Sequence, residues 1–474
     1  MAILDDLLRV AKPLGEAVHI GDGPVVTVRE LETLPAAIED VLRTAVFGAQ
    51  PDKGLAQWLI RACALDAGII PASIHDLYIA RGRGDTPDDF TVPAMNLRAL
   101  PYTAARAVFR AAMDMSAKAI IFEIARSEMG YTDQRPAEYA ANILAAALAE
   151  GYRGPVFIQG DHFQVSASRY AKGPHTELQA IRDLALEALH AGFFNIDIDT
   201  STLVDLSRPT IPEQQEINYR LCAELSAFIR EHEPEGVTVS LGGEIGEVGG
   251  QNSTEPELRA FMEGFNQSLQ ELRPDAPGLS KISIQTGTSH GGVVLPDGSI
   301  ARVSVDFDTL KTLSRVAKEY GMGGAVQHGA STLPPEAFTK FAEANALEVH
   351  LATGFQNILY DHLPEDLKQE MYAYLEEHHA DERKDDQTDE QFYYKARKRA
   401  LGPFKRRLWD LPEDTIAAIA DAWETQFRLL FDRLNVGGTA TLVDRFVSPR
   451  PIRPDLRKYL GELAGEEDVR DLAD

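Results

Sequence analysis

Between residues 89 and 360 the chain alternates short strand-like runs with amphipathic helical segments, eight times over. The runs are 90–96 (FTVPAMN), 117–125 (AKAIIFEIA), 154–161 (GPVFIQGD), 193–199 (FFNIDID), 236–246 (GVTVSLGGEIG), 281–291 (KISIQTGTSHG), 324–331 (GAVQHGAS) and 347–353 (LEVHLAT). Helical segments such as HTELQAIRDLALEALHAG separate them, with apolar residues recurring at helical spacing. Eight β units, each followed by a crossover, match the size of a (β/α)8 TIM barrel, which takes about 250 residues. A doubly wound sheet is the rival, but no glycine-rich dinucleotide turn follows the first run, and eight is the closure number. The fold class expected is therefore α/β: a TIM barrel over 89–360 with a mostly helical extension at each end, 1–88 and 361–474.

Composition narrows the function classes. The 474 residues carry a formal net charge of -26, which argues against nucleic acid as the main partner. The two cysteines, Cys63 and Cys222, leave no disulfide framework and no cysteine-rich zinc module. No apolar run approaches the roughly 18 residues of a membrane span. The acidic start MAILDDLLRVAKPLG does not read as a signal peptide, so the expectation is a cytoplasmic protein without a membrane partner. In the C-terminal extension, residues 376–391 are strongly charged and read as a solvated loop. The run YYKARKRALGPFKRR (393–407) is unusually basic for so acidic a chain.

Barrel enzymes place their chemistry on the loops after the strands. Several runs here end in reactive groups: Asp161-His162, then Asp197 and Asp199, Glu244, Ser289-His290-Gly291-Gly292, His328-Gly329-Ala330-Ser331, and His350 with Thr353. Three histidines at one rim, each near small residues, fit a metal centre with one position left open for substrate or water. His162, His290 and His328 are read as the ligands, with Glu244 as a fourth or exchanging one. The loops SHGG and HGAST cluster backbone amides beside a serine hydroxyl, which suits a phosphate oxyanion.

In order along the chain, these motifs resemble the class II, metal-dependent fructose-bisphosphate and tagatose-bisphosphate aldolases. The motifs are GDH, IDIDTSTL, GGEIGEVGG, TSHGG, QHGAS and, further on, YYKAR. The resemblance implies a zinc-dependent lyase that cleaves or condenses a phosphorylated ketose through a metal-stabilised enediolate. Zinc or another divalent transition metal is the implied cofactor, with a possible monovalent cation. Asp161 would be the catalytic acid/base, His162, His290 and His328 the metal ligands, and Glu244 and Asp199 their neighbours. Gly291, Gly329, Ser331 and Thr353 would hold a phosphate. Arg397 in YYKAR would grip a second phosphate in a neighbouring subunit, which implies a homo-oligomer, a dimer or tetramer. Asn96, the last residue of the first run, completes the expected substrate-binding set.

Two departures stand out. Where the family uses an acid after the fifth strand, this chain reads Gly249-Gly250-Gln251-Asn252-Ser253, and an amide cannot transfer that proton. Where the family has an asparagine on the eighth strand stands His350, expected to take over a catalytic proton-transfer or oxygen-binding role. A metal-dependent sugar-phosphate isomerase or epimerase, or a non-catalytic sugar-phosphate-binding barrel, is the alternative.

Overall fold

Eight short strands close on themselves, all parallel to their neighbours. They are β1 (Val92–Asn96), β2 (Ile121–Ala125), β3 (Gly154–Gln164), β4 (Asn195–Asp199), β5 (Ser240–Glu244), β6 (Lys281–Ile284), β7 (Ala325–Gln327) and β8 (Glu348–Leu351). Each pairs with the next, and β8 pairs with β1 to complete the ring. The computed structural model describes residues 2–21, 24–246, 250–287, 295, 305–461 and 472. The expected (β/α)8 barrel is thus present, and every strand falls inside or across its expected run. Most are shorter than the sequence suggested; the first, second and fourth begin two to four residues later than their runs.

The amino-terminal end of the barrel is closed by the chain that precedes β1. Ile69–Ala72 pairs in parallel with Gly154–Phe157 of β3, below the point where β4 takes over the same edge at Gln159. Helix His75–Arg83 then crosses this end. Its Arg81 is buried and donates to the carbonyls of Phe90 and Ala346, just ahead of β1 and β8. Tyr78 of the same helix reaches the barrel interior and donates its hydroxyl to Glu348.

Helices Leu34–Phe47 and Asp52–Asp66 pack on helix Pro136–Ala149 of the barrel wall. Their contact faces are apolar: Leu34, Ile38, Val41, Leu42, Leu55, Leu59 and Ile60 are almost fully buried. A small antiparallel ribbon, Val18–Gly21 with Val25–Val28, interrupts this otherwise helical extension, with its β-branched residues at strand spacing.

The charged segment 376–391 departs from expectation. Residues 376–378 end helix Glu365–His378, and a second helix, Asp389–Ala396, starts at a capping box formed by Thr388 and Gln391. Only the stretch between them is loop and 3-10 turn. The acidic residues at the start of the second helix suit its positive end. Part of the basic run that follows is folded against the protein, while Lys395, Arg406 and Arg407 are exposed. Lys405 pairs with buried Glu138, Arg399 with Glu382 and Arg407 with Glu370. Cys63 and Cys222 are both buried and unbridged. Among the described residues no helix is long and apolar enough to cross a membrane.

Candidate active site

The barrel interior is polar from its middle layer up to its carboxyl rim. Charged residues alternate with apolar ones along the strands, so the charged set faces inward. Lys281 of β6 is fully buried, with Nζ 2.9 Å from Asp197 and 2.7 Å from the Gln159 side-chain Oε1; it also donates to Glu348. Glu348 in turn accepts from Gln159 (3.0 Å) and from His350 Nε2 (2.6 Å). Burial opposes the ionisation of Glu348, but the Lys281 ammonium outweighs it and holds the carboxyl down at about 2. Burial pushes Asp197 up to about 6, with Lys281 partly offsetting it. Glu123 of β2, 3.2 Å from His350 Nδ1, is raised by burial to about 8. A buried charge needs a partner of opposite sign, and this network supplies one to each of its members.

Above this layer sits the Asp161-His162 pair. β3 changes register between Gly160 and Phe163, and His162 has a φ of 38°, in the left-handed region. In a regular strand neighbouring side chains point to opposite faces; the bulge lets both Asp161 and His162 reach the same cluster. Gly160 is required for a second reason: a Cβ there would lie 2.4 Å from the Phe163 ring. Strain of this kind, about 1–3 kcal/mol, persists only where the surroundings over-determine it.

Three imidazoles gather here. The His162 and His328 rings are 4.2 Å apart, and the His328 and His350 rings 4.0 Å. Asp161 Oδ1 lies 3.0 Å from His162 Nδ1 and 3.1 Å from His350 Nδ1. Its Oδ2 accepts from Asn96 at 3.2 Å. Burial would raise the Asp161 pKa, but the two imidazoles outweigh it and hold the carboxyl well below the usual range. Burial also works against charge on His162 and His350. Asp161 and Glu244 overcome it at the first, and Glu123 and Asp161 at the second, so both rings are held well above the usual histidine value. His328 Nε2 is 3.0 Å from Ser283 Oγ.

The donor set fits a divalent transition ion. Ligand atoms of Asp161, His162 and His328 lie within 4.8 Å of one another, and so do those of His162, Asp199 and Glu244. Asp199 is held in place by Ser201 (2.7 Å) and Gln164 (2.6 Å), and Glu244 stands 3.4 Å from His162 Nε2. Such second contacts fix the direction of a ligand. His290 and Gly291, the remaining expected ligand and one of the expected phosphate contacts, lie outside the described residues.

A cavity of about 240 Å³ opens beside Asp161, His328 and His350. Its walls include Asn96, Gly329, Ser331 and Thr353, four of the expected substrate residues. Ser331 Oγ accepts from the Ala352 amide at 2.6 Å, and helix Thr353–His362 starts at the cavity edge. Arg397, expected to serve a neighbouring subunit's site, does not line this chain's own cavity. Its guanidinium is stacked between Tyr360 and Tyr394, at 4.6 and 4.4 Å from the ring centres, and donates to Asn357 of its own chain. The cavity is instead lined by the residues on either side of it, Lys395 and Lys398, and by Arg98. Arg126 is buried against Glu177 and the Gln164 carbonyl. Asn252 donates to Asp306 at 3.3 Å.

Sequence reasoning passed over Glu123, Lys281 and Glu348, although a signal was present: each is a lone charge within an apolar strand, as in IFEIA, KISI and LEVHL. Arg98, Lys395 and Lys398 carried no such signal, since each lies outside a strand.

A family model described as fructose-bisphosphate aldolase class-II matches residues 86–405. No curated protein matches the chain. Among solved structures, the native fructuronate-tagaturonate epimerase of Cohnella laeviribosi has a TM-score of 0.53 at 12% identity, over 89% of this chain and 89% of that one. A probable tagatose 6 phosphate kinase from Sinorhizobium meliloti 1021 has 0.51 at 16% identity, over 78% and 97%. The fructose-bisphosphate aldolase of Campylobacter jejuni has 0.44 at 17%, over 78% and 96%. At these identities the likeness is one of fold.

Proposed function

The chain belongs to the class II fructose-bisphosphate aldolase family, and from that premise we propose that it is a metal-dependent aldehyde-lyase, making or breaking a carbon–carbon bond of a phosphorylated ketose through an enediolate. The observation that carries this reading is the carboxylate of Asp161, held ionised between two imidazoles at the mouth of the cavity.

His162 and His328, with His290, would hold the ion, zinc in this reading, beside Glu244 and Asp199. Once bound, the ion supplies Lewis-acid polarisation of the substrate carbonyl. The chain's own groups do the proton chemistry. In the cleavage direction Asp161 accepts the proton of the hydroxyl that becomes the aldehyde, and in condensation it returns it. Asn96 orients Asp161 through the 3.2 Å hydrogen bond. His350, anchored by Glu348 on one ring nitrogen and facing Asp161 with the other, would give a proton to the enediolate carbon. Gly329, Ser331 and Thr353 would receive a phosphate.

A second reading has one specific observation in its favour: the family's acid after β5 is absent and Asn252 is engaged with Asp306. A sugar epimerase using the Asp161–His350 pair without net cleavage would not need that acid. Zinc-loaded protein incubated with a panel of ketose phosphates separates the two. Trapped three-carbon aldehyde or ketone supports the lyase. A rearranged sugar without a fragment overturns it in favour of the epimerase, and no change with any ketose overturns both.

A further inference from the structure

The cavity beside Asp161 is walled on one side by cations that do not belong to the barrel's metal cluster. Arg98 comes from the loop after β1, and Lys395 and Lys398 come from the C-terminal extension. Lys395 and Lys398 are three residues apart at the junction of helix Asp389–Ala396 and the 3-10 turn Arg397–Ala400, so they share a face while Arg397 turns away from it. The Arg98 guanidinium and the Lys398 ammonium meet over the same ring, 6.0 and 5.5 Å from the centre of Tyr131.

This arrangement is fixed by the fold. The extension is tied down at the Arg397 carbonyl, which accepts from Tyr360 at 2.8 Å, and at Tyr394, whose hydroxyl accepts from Asn357 at 3.1 Å. Gly402 packs so closely that a Cβ there would lie 2.6 Å from the Tyr131 carbonyl oxygen. Arg98 is oriented by Glu128 at 2.6 Å and by Gln356 at 3.3 Å. Lys398 faces Arg98 and Arg399 on the positive side, and Glu128 and Glu382 on the negative side. Burial and the two arginines push its amine down to about 7, the mark of like charges gathered in a confined space. In a chain of net charge -26, such a convergence at a cavity mouth needs a reason.

We propose that Arg98, Lys395 and Lys398 form an anion clamp, built within one chain, that holds the terminal phosphate or carboxylate of the substrate. The clamp rests on the reading of this cavity as the substrate site. It gives the C-terminal extension a role: closing the cavity from outside the barrel with charge that adds to Arg98 of the barrel loop. Phosphate and carboxylate share the chemistry of a planar or tetrahedral oxyanion accepting charge-assisted hydrogen bonds.

The test is calorimetric titration of the zinc-loaded, full-length protein, with inorganic phosphate in one arm and glucuronate in the other. The variants are Lys398→Met, Lys395→Met, the double variant, and Lys398→Arg. Removing one ammonium, and with it one charge-assisted hydrogen bond, is expected to weaken the preferred anion about tenfold, with Lys398→Arg restoring most of it. Preference for phosphate assigns the clamp to a sugar phosphate, and preference for glucuronate assigns it to a sugar acid. Exposed Lys395 can be replaced without disturbing the core, so the double variant is not the sole measure. If Lys395→Met and the double variant bind both anions within about twofold of wild type, the clamp is wrong. Carbon–carbon cleavage with unchanged anion affinity in the variants removes the clamp and leaves the lyase. Weakened anion binding without turnover of any ketose leaves the clamp and removes the lyase.

Discussion

The two extensions of this barrel are similar in kind, both mostly helical, and both reach its closed end, but among the described residues only the C-terminal one also lines the cavity at the open end. The N-terminal one attaches through apolar surface: Leu34, Ile38, Leu55, Leu59 and Ile60 pack toward the wall helix Pro136–Ala149. It enters the barrel proper only at its closed end, through Arg81 and Tyr78. The C-terminal one also buries apolar side chains, Ile419, Trp423, Phe427 and Leu430 among them, adds ion pairs and stacked rings, and brings Lys395 and Lys398 to the open end. The difference teaches how additions to this fold divide. Chain added at the amino ends of the strands contributes stability, whereas chain added at the carboxyl ends contributes to what the site recognises.

The largest effect that sharpens this contrast belongs to neither extension. Replacing His328 with Ala should reduce metal content after dialysis from about one ion per chain to near none, with turnover falling roughly a thousandfold or more. Retention of the ion at full stoichiometry would show that the rim histidines do not hold it. In the wild type, metal affinity should weaken as pH falls. Asp161 and Glu244 hold the His162 ring protonated well above its usual range, and an entering ion must displace that proton. Competition with a chromophoric chelator across pH reads this directly.

Asp161→Asn should come next, lowering turnover by about 10²–10⁴ while metal content stays at the wild-type level. A loss of metal together with activity would make Asp161 a ligand instead of the proton carrier. His350→Asn tests the same step from the other side. If turnover is untouched, His350 only anchors Glu348.

A smaller effect is expected at the C-terminal extension. Lys398 titrates near 7, facing Arg98, Arg399, Glu128 and Glu382. A lowered lysine pKa means the charge is present below that value and lost above it. Affinity for sulfate, whose own charge is constant over this range, should therefore be flat at acidic pH and weaken above neutrality by about tenfold in all, the same loss as in Lys398→Met. A flat profile through about pH 9 would place the cation elsewhere. The smallest effect on the site should come from the N-terminal side. Leu59→Ala should cost about 2–5 kcal/mol of stability in a denaturant titration. Metal content and sulfate affinity should stay unchanged; a loss of either would join the two extensions into one functional unit.

Much of the barrel was legible in the chain, because alternation of apolar and polar residues is a local property. Eight such runs separated by helical segments admit few closed arrangements. The rim groups Asp161, His162, Glu244, His328 and His350 were legible for the same reason: each lies in the last four residues of a strand or directly follows one. The inward charges Glu123, Lys281 and Glu348 could have been found by the same periodicity, but their pairing across the barrel could not. Which lysine meets which carboxylate depends on the stagger of strands far apart in sequence.

The sequence by itself therefore determined the kind of fold and the identity of the groups offered at its mouth. The tertiary structure alone decided the rest. A register shift at Gly160 turned Asp161 and His162 to one side. Two tyrosines stack on Arg397 while its neighbours Lys395 and Lys398 line the cavity. The physical reason is reach. Periodicity is set by the backbone one residue at a time, whereas the approach of residue 398 to residue 98 exists only once roughly 300 intervening residues have folded.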